Sequence, residues 1–352
     1  MKTKFGSFCE KGVANGCKYC VRGEKLVLFI TGKCSRNCWY CSLSEKRKNK
    51  DIIWANEREI RSVKEMIKEA EEGNAKGAGI TGGDPLVVFR RTVKFAKALK
   101  KRFGSGFHIH IYLPLNLVEE RKLKKLNKFV DEVRFHPSFL INPDRELMRR
   151  EIEKIMMASS IFGKESTGVE LPMIPEKKKE TLDFLLRVKD FIGFVNLNEF
   201  EISETNFERV SRYKMNKDSY TVSKSKEAGL WVLKNLKNSK LKVHLCTAFT
   251  KNCYQYKNRL KLHNILPYGM KTDDGTVIYL ALYFQDIDDK KKLMNKLKKG
   301  FYVDETRARV LLSMDLAVDL IEQGYKVARV EEHPTFDASV MEFWYLSKKD
   351  LE

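Results

Sequence analysis

The amino-acid sequence predicts an α/β fold in which short strands and amphipathic helices alternate along most of the chain. Three observations support this prediction. Runs of β-branched and aromatic residues recur between helical patterns. The chain of 352 residues is long enough for one large domain and one smaller domain, and no apolar run approaches the roughly 18 residues that span a membrane. Repeated strand–helix units indicate a parallel sheet with right-handed crossovers.

Six strands are predicted, and each is followed by a helix or by a loop that leads to one. The strands cover residues 26–31, 77–81, 108–113, 132–136, 169–173 and 194–202. The helices cover residues 59–70, 89–101, 117–129, 144–157 and 180–191. In these stretches apolar residues recur three or four positions apart, which is the spacing of one helix face. The pattern alone does not distinguish a partial barrel from an open, doubly wound sheet.

The predicted domain organisation has three parts. A cysteine-rich segment covers residues 1–23, the strand–helix units cover residues 24–235, and a small C-terminal α/β domain covers residues 236–352. The second boundary follows from a change in composition over residues 203–240, where Lys, Asn and Ser dominate. Beyond it, strands are predicted over residues 242–245, 265–267, 277–284 and 325–331, and a helix over residues 306–322.

The most informative segment follows the first strand and carries three cysteines at C-x3-C-x2-C spacing, Cys34, Cys38 and Cys41. An aromatic residue, Tyr40, lies directly before the last of them. Three closely spaced thiolates can hold three corners of a cubane iron–sulfur cluster and leave the fourth iron open to a small molecule. An open metal position is typical of a site that carries out chemistry rather than one that only stabilises a fold.

A zinc ribbon is the competing interpretation of these cysteines. Cys17-x2-Cys20 lies 17 residues before the Cys38-x2-Cys41 pair, a spacing typical of four-cysteine zinc sites. Two features disfavour this interpretation. The linker contains the apolar strand of residues 26–31, and the second predicted strand runs into a Gly-Gly-Asp-Pro turn. A structural zinc ribbon explains neither feature.

The chain resembles the radical S-adenosylmethionine (SAM) superfamily. The residues that carry the resemblance are Cys34, Cys38, Tyr40, Cys41, Gly82, Gly83, Asp84 and Pro85. It implies a six-stranded partial barrel of the TIM type, a [4Fe-4S] cluster on the three cysteines, and SAM chelating the open iron. It also implies that Tyr40 lies by the adenine, and that the glycine turn meets the methionyl amine through its backbone and through Asp84. The acid in this turn is more often Glu in the superfamily.

A closer resemblance is to archaeal proteins related to the pyruvate formate-lyase activating enzyme. It includes Cys17-x2-Cys20 and the segment Asn198-Glu199-Phe200-Glu201. It implies an enzyme that receives an electron from a donor, cleaves SAM to a 5′-deoxyadenosyl radical and abstracts hydrogen, but it brings no settled substrate. Three functions stay open: hydrogen abstraction from an unidentified metabolite or tRNA, activation of a partner enzyme at a backbone glycine, and zinc-stabilised RNA binding without catalysis.

Further site residues are expected at the carboxyl ends of the strands, where the active sites of parallel barrels lie. His136, Glu170, Glu199 and Glu201 are predicted there as cofactor-binding residues. Glu199 and Glu201 are two positions apart, so on a strand their side chains share one face, and Asn198 takes the other. Two buried carboxylates need a polar ligand or a basic partner. His136 is equally well interpreted as a structural histidine that is hydrogen-bonded at its strand end.

The remaining cysteines lie near the two ends of the predicted barrel. We interpret Cys9, Cys17, Cys20 and Cys246 as a candidate four-thiolate site for zinc or for an auxiliary [4Fe-4S] cluster. The alternative is that Cys9 and Cys246, together with Cys253, are ordinary buried thiols. The chain opens with no secretory signal, and an iron–sulfur enzyme belongs in a reducing compartment. A cytoplasmic location without disulfides is therefore expected.

The net charge raises the question of an RNA partner. The formal value is +20, from 67 basic and 47 acidic residues, and positive charge favours binding to phosphates. Basic and aromatic residues, which together can neutralise and stack RNA, combine in one segment that contains Lys251, Asn252, Tyr254, Tyr256, Lys257, Arg259 and Lys261. Lys-rich surfaces with abundant Glu are also common in heat-adapted proteins, so the charge has a second explanation.

Overall fold

A computed structural model of the chain describes residues 1–351. The chain forms two compact units, Met1–Tyr256 and Lys257–Glu352. Within the described residues, every helix is too short or too polar to cross a membrane.

The first unit is built on a ten-stranded sheet. Its strands are β1 (Phe8–Glu10), β2 (Lys25–Phe29), β3 (Ile53–Ala55), β4 (Arg58–Ile60), β5 (Gly77–Thr81), β6 (His108–Pro114), β7 (Glu132–His136), β8 (Thr167–Met173), β9 (Phe194–Glu199) and β10 (Lys242–Cys246). Their order across the sheet is β1-β10-β9-β8-β7-β6-β5-β2-β3-β4. The seven strands from β10 to β2 run parallel, whereas β1 at one edge and the β3–β4 hairpin at the other are antiparallel to their neighbours.

Helices connect the parallel strands. They are α1 (Asn15–Val21), α2 (Val63–Glu72), α3 (Phe89–Phe103), α4 (Glu120–Leu126), α5 (Arg145–Phe162), α6 (Lys178–Val188), α7 (Phe207–Val210), α8 (Ser225–Asn235) and α9 (Ala248–Thr250). Polar side chains cap the helix ends where the sequence allows it. At α2, the Ser62 side chain accepts a bond from the Glu65 backbone N–H while Glu65 reaches back to Ser62. At α5, Asp144 accepts from Leu147.

The parallel strands have one apolar face and one polar face. On β7, Val133 and Phe135 are fully buried in the layer between sheet and helices. The alternate residue, Arg134, is also buried but is hydrogen-bonded to other strands and to the N-terminal segment. The same alternation recurs on the other central strands of this sheet. A sheet that is covered by helices on one side and polar on the other encloses a polar interior, and that interior is where the site forms.

The structure confirms the predicted α/β fold and adds a seventh parallel strand. Sequence analysis assigned residues 242–245 to the C-terminal domain, but β10 pairs in register with β9, from Lys242 opposite Phe194 to Cys246 opposite Asn198. The division between units accordingly falls after Tyr256 rather than at residue 236. The change in composition used to place the boundary reflects an excursion through α7 and α8, after which the chain returns to the sheet.

The second unit is a separate antiparallel sheet with helices. Its strands are β11 (Met270–Lys271), β12 (Val277–Tyr283), β13 (Phe301–Asp304), β14 (Arg309–Leu312), β15 (Ala328–Glu332) and β16 (Val340–Tyr345), and its helices are α10 (Lys257–Leu262), α11 (Ile287–Lys296) and α12 (Met314–Glu322). The order is β13-β14-β12-β15-β16, and β11 pairs with β12.

Two predictions for the second unit are wrong. Residues 265–267 form no strand. The helix expected over residues 306–322 begins only at Met314, because its first part is β14. Val310 and Leu311 pack into different apolar clusters on the two faces of that strand. The segment therefore has a continuous apolar run that also fits a helix. Ser313 then caps α12 by accepting a bond from Leu316.

Candidate active site

A cavity of about 500 Å³ lies at the carboxyl ends of the parallel strands. It collects residues from the loop after β2 and from the ends of β5 to β9. Most of the site residues predicted from the sequence line it: Cys34, Cys38, Tyr40, Cys41, Gly82, Gly83, His136, Glu170, Glu199 and Glu201. Asp84 is not among the lining residues. The structure thus brings segments that are far apart in sequence to one end of the sheet, as expected for a parallel α/β fold.

The loop that carries the three cysteines has no regular helix or strand and is held in place by Arg36. The Arg36 side chain is only 4% exposed and pairs with Glu151 on α5. It also donates to the backbone oxygen of His136 and to Oδ1 of Asn116, both at 2.5 Å. Sequence analysis missed this residue. The signal in the sequence was a charged residue between two of the cysteines. In a loop on the surface such a side chain would stay in solvent, whereas here it is buried.

The three cysteine sulfurs of the loop lie near one another but are not packed around a point. Cys34 is exposed, and Cys38 and Cys41 are half-buried. Burial, with added repulsion from the other two thiols, raises the pKa of Cys38 to about 11. Among residues 1–351, however, these three sulfurs do not all lie within 4.8 Å of one another, as they would around a single ion. In a cubane each thiolate binds a different iron, so a cluster does not need the three sulfurs to converge on one point.

The glycine turn after β5 packs its backbone directly against the cysteine loop. Gly82 has a φ of +152°, and a Cβ on it would collide with the backbone oxygen of Thr31. A Cβ on Gly83 would collide with the backbone oxygen of Lys33. Only glycine lets the two backbones come this close. The turn therefore forms a cradle beside Cys34 that any side chain would fill.

Asp84 fastens this turn rather than facing the cavity. The residue is fully buried. Its Oδ2 accepts a 2.6 Å bond from the Ser35 hydroxyl, and its Oδ1 accepts a 2.9 Å bond from the Leu86 backbone N–H. Burial raises the pKa of its carboxyl group, opposed by these hydrogen bonds. The side chain thus ties the turn to the residue next to Cys34, which sets the position of the backbone that lines the cavity.

Tyr40 and His136 form a hydrogen-bonded pair on the cavity wall. The backbone oxygen of Glu170 can only accept, so the 3.0 Å contact makes Nδ1 of His136 the donor. Nε2 then accepts from the Tyr40 hydroxyl at 2.7 Å. Burial lowers the pKa of His136 to about 4, which matches this neutral tautomer. The pair holds the Tyr40 ring one residue from Cys41, so the positioning role of His136 is the one that the geometry supports.

The chain shares sequence with known proteins over these same elements. The model of the radical SAM superfamily matches residues 28–185, from β2 into α6. Over 355 residues, covering 96% of this chain and 94% of the relative, the chain is 39% identical to a protein of Methanocaldococcus jannaschii named "Putative glycyl-radical enzyme activating enzyme". This chain belongs to the radical SAM superfamily.

Radical SAM enzymes use a [4Fe-4S] cluster, SAM and an electron donor, and the residues present in this enzyme fit that requirement. Three spaced thiols line the same cavity as the glycine cradle. Membership overturns the alternative of a non-enzymatic zinc ribbon, which would need the Cys17–Cys20 pair beside the Cys38–Cys41 pair. The first pair lies instead on α1, a separate element, and the second on the loop after β2.

The floor of the cavity in this radical SAM enzyme is a buried ionic network. Arg134 is 1% exposed and donates to Glu132 at 2.5 Å and to Glu170 at 2.8 Å. Glu170 also accepts a 2.9 Å bond from the side chain of Asn198. Burial raises the pKa of Glu132, but Arg134 and the Gly16 N–H lower it by more, so its carboxylate stays ionised. Because Arg134 and Asn198 hold Glu170 in place, Glu170 presents a fixed carboxylate to the cavity from its floor.

The two glutamates at the end of β9, Glu199 as its last residue and Glu201 just beyond it, take different partners. Glu199 Oε2 accepts a 2.6 Å bond from the Ala248 backbone N–H, whereas Glu201 pairs with Lys251 at 2.5 Å. The expected basic partner is confirmed for Glu201. Asn198, which sequence analysis placed on the face opposite Glu199 and Glu201, also lines the cavity, because it lies two positions after Asn196 and shares its interior face.

The basic residues considered for RNA binding are partly engaged within the protein. Lys251 pairs with Glu201, and Lys257 pairs with Asp274. The comparisons with known proteins point to no nucleic acid. RNA as a partner stays a prediction without support from them.

Proposed function

We propose that this radical SAM enzyme removes a hydrogen atom from an organic substrate that enters the cavity at the carboxyl ends of β5 to β9. The observation that carries the proposal is the common location of the cysteine loop and the glycine cradle on one cavity. Cys34, Cys38 and Cys41 would hold the [4Fe-4S] cluster. Gly82 and Gly83 would receive the methionyl end of SAM, and Tyr40 its adenine.

When bound and reduced by an external electron donor, the cluster would supply one electron for cleavage of the SAM sulfonium to methionine and a 5′-deoxyadenosyl radical, the agent that would take a hydrogen atom from the substrate. The protein's own residues position and enclose this chemistry. His136 fixes Tyr40 through its hydroxyl. Asp84 fixes the cradle against the loop through Ser35. Cavity walls such as Leu113, Leu171 and Phe200 are apolar and help to exclude water.

The polar side of the cavity is suited to a substrate with hydrogen-bonding groups. Glu170 is held by Arg134 and Asn198, so it presents a fixed carboxylate edge. The Glu201–Lys251 pair offers a second polar contact on the same cavity. Groups that are already oriented lose little entropy when they bind a ligand. We assign substrate contacts to Glu170, Glu199 and Glu201.

The name of the relative favours a second, finer candidate function. A glycyl-radical enzyme activating enzyme takes its hydrogen from a backbone glycine of a partner protein, and the relative that bears this name covers nearly the whole chain. In that case the substrate is an extended protein segment rather than a metabolite. The two candidates differ in where the substrate radical remains after 5′-deoxyadenosine is formed.

The proposed function is tested on protein purified and reconstituted without oxygen. The enzyme should form 5′-deoxyadenosine from SAM in the presence of dithionite, and Cys38→Ala should abolish this product because one cluster ligand is lost. Cys253→Ala, at an exposed cysteine outside the cavity lining, is the matched control and should retain wild-type rates. Undiminished cleavage in Cys38→Ala would refute the assignment of the cluster.

The activating function is tested by electron paramagnetic resonance. Active enzyme is incubated with SAM, dithionite and purified glycyl-radical enzymes that have not been activated. A glycyl-radical signal that requires an intact Cys38 would support the activating function. If 5′-deoxyadenosine forms but no protein radical accumulates on any of these candidates, a small-molecule substrate is favoured.

A further inference from the structure

The interior of the barrel contains a second group of thiols. Side chains alternate along β10, so Cys246 faces the same side as His244, whose Nδ1 contacts Asn196 Oδ1 inside the barrel at 2.6 Å. Cys9 on β1 lies directly opposite His244 in the antiparallel register. Opposed residues of an antiparallel pair share a face, so Cys9 and Cys246 both face the interior.

Helix α1 brings two more thiols into this interior. Cys17 and Cys20 are three positions apart and therefore share a helix face. The helix is pressed against the polar strands, because a Cβ on Gly16 would lie 2.5 Å from Nδ1 of His110 and 2.6 Å from Nη2 of Arg134. Cys17 Sγ lies 3.7 Å from Asn196 Oδ1 and accepts a 3.4 Å bond from Arg134.

Cys20 links the members of this group. Cys20 lies one helical turn from Cys17, and it lines the same cavity as Gln255, which donates a 3.3 Å bond to Cys246 Sγ, so the three thiols border one region although they come from α1 and from the end of β10. Cys20 also lines the main cavity, whereas Cys17 and Cys246 are buried beyond it. The group therefore extends from the cavity floor into the barrel.

Buried cations surround the thiols. The charge of Arg134 acts on Cys17 and Cys20, that of Lys25 on Cys20, and that of Lys251 on Cys246. Anionic thiolates can be buried only when positive charge lies close to them, and here the fold supplies it for all three.

We propose that Cys9, Cys17, Cys20 and Cys246 bind a second iron–sulfur cluster inside the barrel. A single zinc ion would need at least three of these sulfurs close together, and among residues 1–351 no three of them lie within 4.8 Å of one another. A cluster spaces its ligands more widely, because each thiolate binds a different iron.

The test is the iron and acid-labile sulfide content of a variant that cannot build the first cluster. In the full chain with Cys34→Ala, Cys38→Ala and Cys41→Ala, anaerobic reconstitution should leave about half of the wild-type iron, roughly four ions per chain for a [4Fe-4S] cluster. Adding Cys17→Ala and Cys20→Ala to this variant should remove the rest. The matched control carries Cys253→Ala in place of Cys17→Ala and Cys20→Ala, and it should keep the remaining iron.

The iron content does not depend on whether SAM is cleaved. A failure of the second cluster can therefore be distinguished from a failure of the proposed function. Absence of iron in the first variant, or zinc in place of iron, would overturn the second cluster. That variant leaves the interior intact, so the test does not depend on whether the interior substitutions fold. In the reduced wild-type enzyme, adding SAM should change only part of the electron paramagnetic resonance signal of the clusters. A change of the whole signal would also argue against an interior cluster.

Discussion

Two groups of cysteines in the same barrel are built in opposite ways. Cys34, Cys38 and Cys41 lie within eight residues of one irregular loop. The interior group is assembled from β1, α1 and β10, which are close only after the sheet has formed. A local motif can be recognised from its spacing, whereas a group assembled from distant elements is visible only when the register of the strands is known.

The surroundings of the two groups differ as well. The loop depends on one buried cation, Arg36, which is paired with Glu151. The interior has Arg134 at the centre of a network with Glu132 and Glu170. Substitutions in the two regions should therefore have different consequences: the interior should govern the stability of the barrel, and the loop should govern cofactor binding.

Arg134→Met should give the largest loss of stability. It leaves the buried Glu132 and the cavity-lining Glu170 without their cation, and breaking a buried ion pair costs about 3–5 kcal/mol in free energy of unfolding. We expect the upper end of this range, measured by urea denaturation of the protein without cofactors. The control, Arg149→Met, removes an exposed arginine that pairs with Glu146 and should change stability by less than about 1 kcal/mol. An equal effect of both changes would contradict the central role of Arg134.

Arg36→Met should destabilise less but should impair iron binding more. Glu151 loses its cation yet keeps a 2.8 Å bond from the Ser138 backbone N–H, so we expect the lower end of the same range of about 3–5 kcal/mol. Freed from α5, the loop should retain little iron after desalting. Arg150→Met, at a surface pair with Glu146, should retain wild-type iron. Full retention of iron by Arg36→Met would show that the loop does not need this anchor.

Ser35→Ala should have the smallest effect of the three. It removes the hydroxyl that donates to Asp84 and leaves a buried carboxylate oxygen without that partner, which costs about 1–2 kcal/mol. Because Asp84 positions the glycine cradle, the concentration of SAM needed for half-maximal 5′-deoxyadenosine formation should rise while the iron content stays constant. Ser44→Ala, in the same loop but outside this hydrogen bond, provides the comparison. Loss of iron in Ser35→Ala would instead show that Ser35 acts on the cluster loop itself.

Much of the fold could be predicted because strands and helices repeat with clear periods. The six predicted strands correspond to β2 and β5 to β9, all confirmed as parallel neighbours. The strand β10 was recognised but assigned to the wrong domain, since strand pairing is not encoded in local pattern. The strand β1 was missed because three residues are too short to show alternation.

The candidate site shows the same limit. The cysteine motif and the glycine turn follow from spacing, and of the site residues predicted in them Cys34, Cys38, Tyr40, Cys41, Gly82 and Gly83 line the cavity whereas Asp84 does not. Sequence analysis could not show that Asp84 turns away toward Ser35 or that Arg36 is buried, because these contacts depend on how the turn and loop pack. Sequence analysis expected Glu199 and Glu201 to share the face opposite Asn198, but Glu201 falls after β9, which ends at Glu199, and Asn198 shares the interior face with Asn196.

The pairing of β1 with β10 can form only late in synthesis, because the two strands are far apart in sequence. Residues Phe8–Glu10 leave the ribosome early, but their partners in Val243–Leu245 are synthesised only after the rest of the parallel sheet. During most of translation, α1 and its two cysteines can therefore pack on β5 and β6 but lack β10 and its pairing with β1, a delay typical of folds with long-range contacts. Iron delivered during this interval would meet thiols that β10 does not yet cover, whereas iron delivered later would meet the completed ten-stranded sheet.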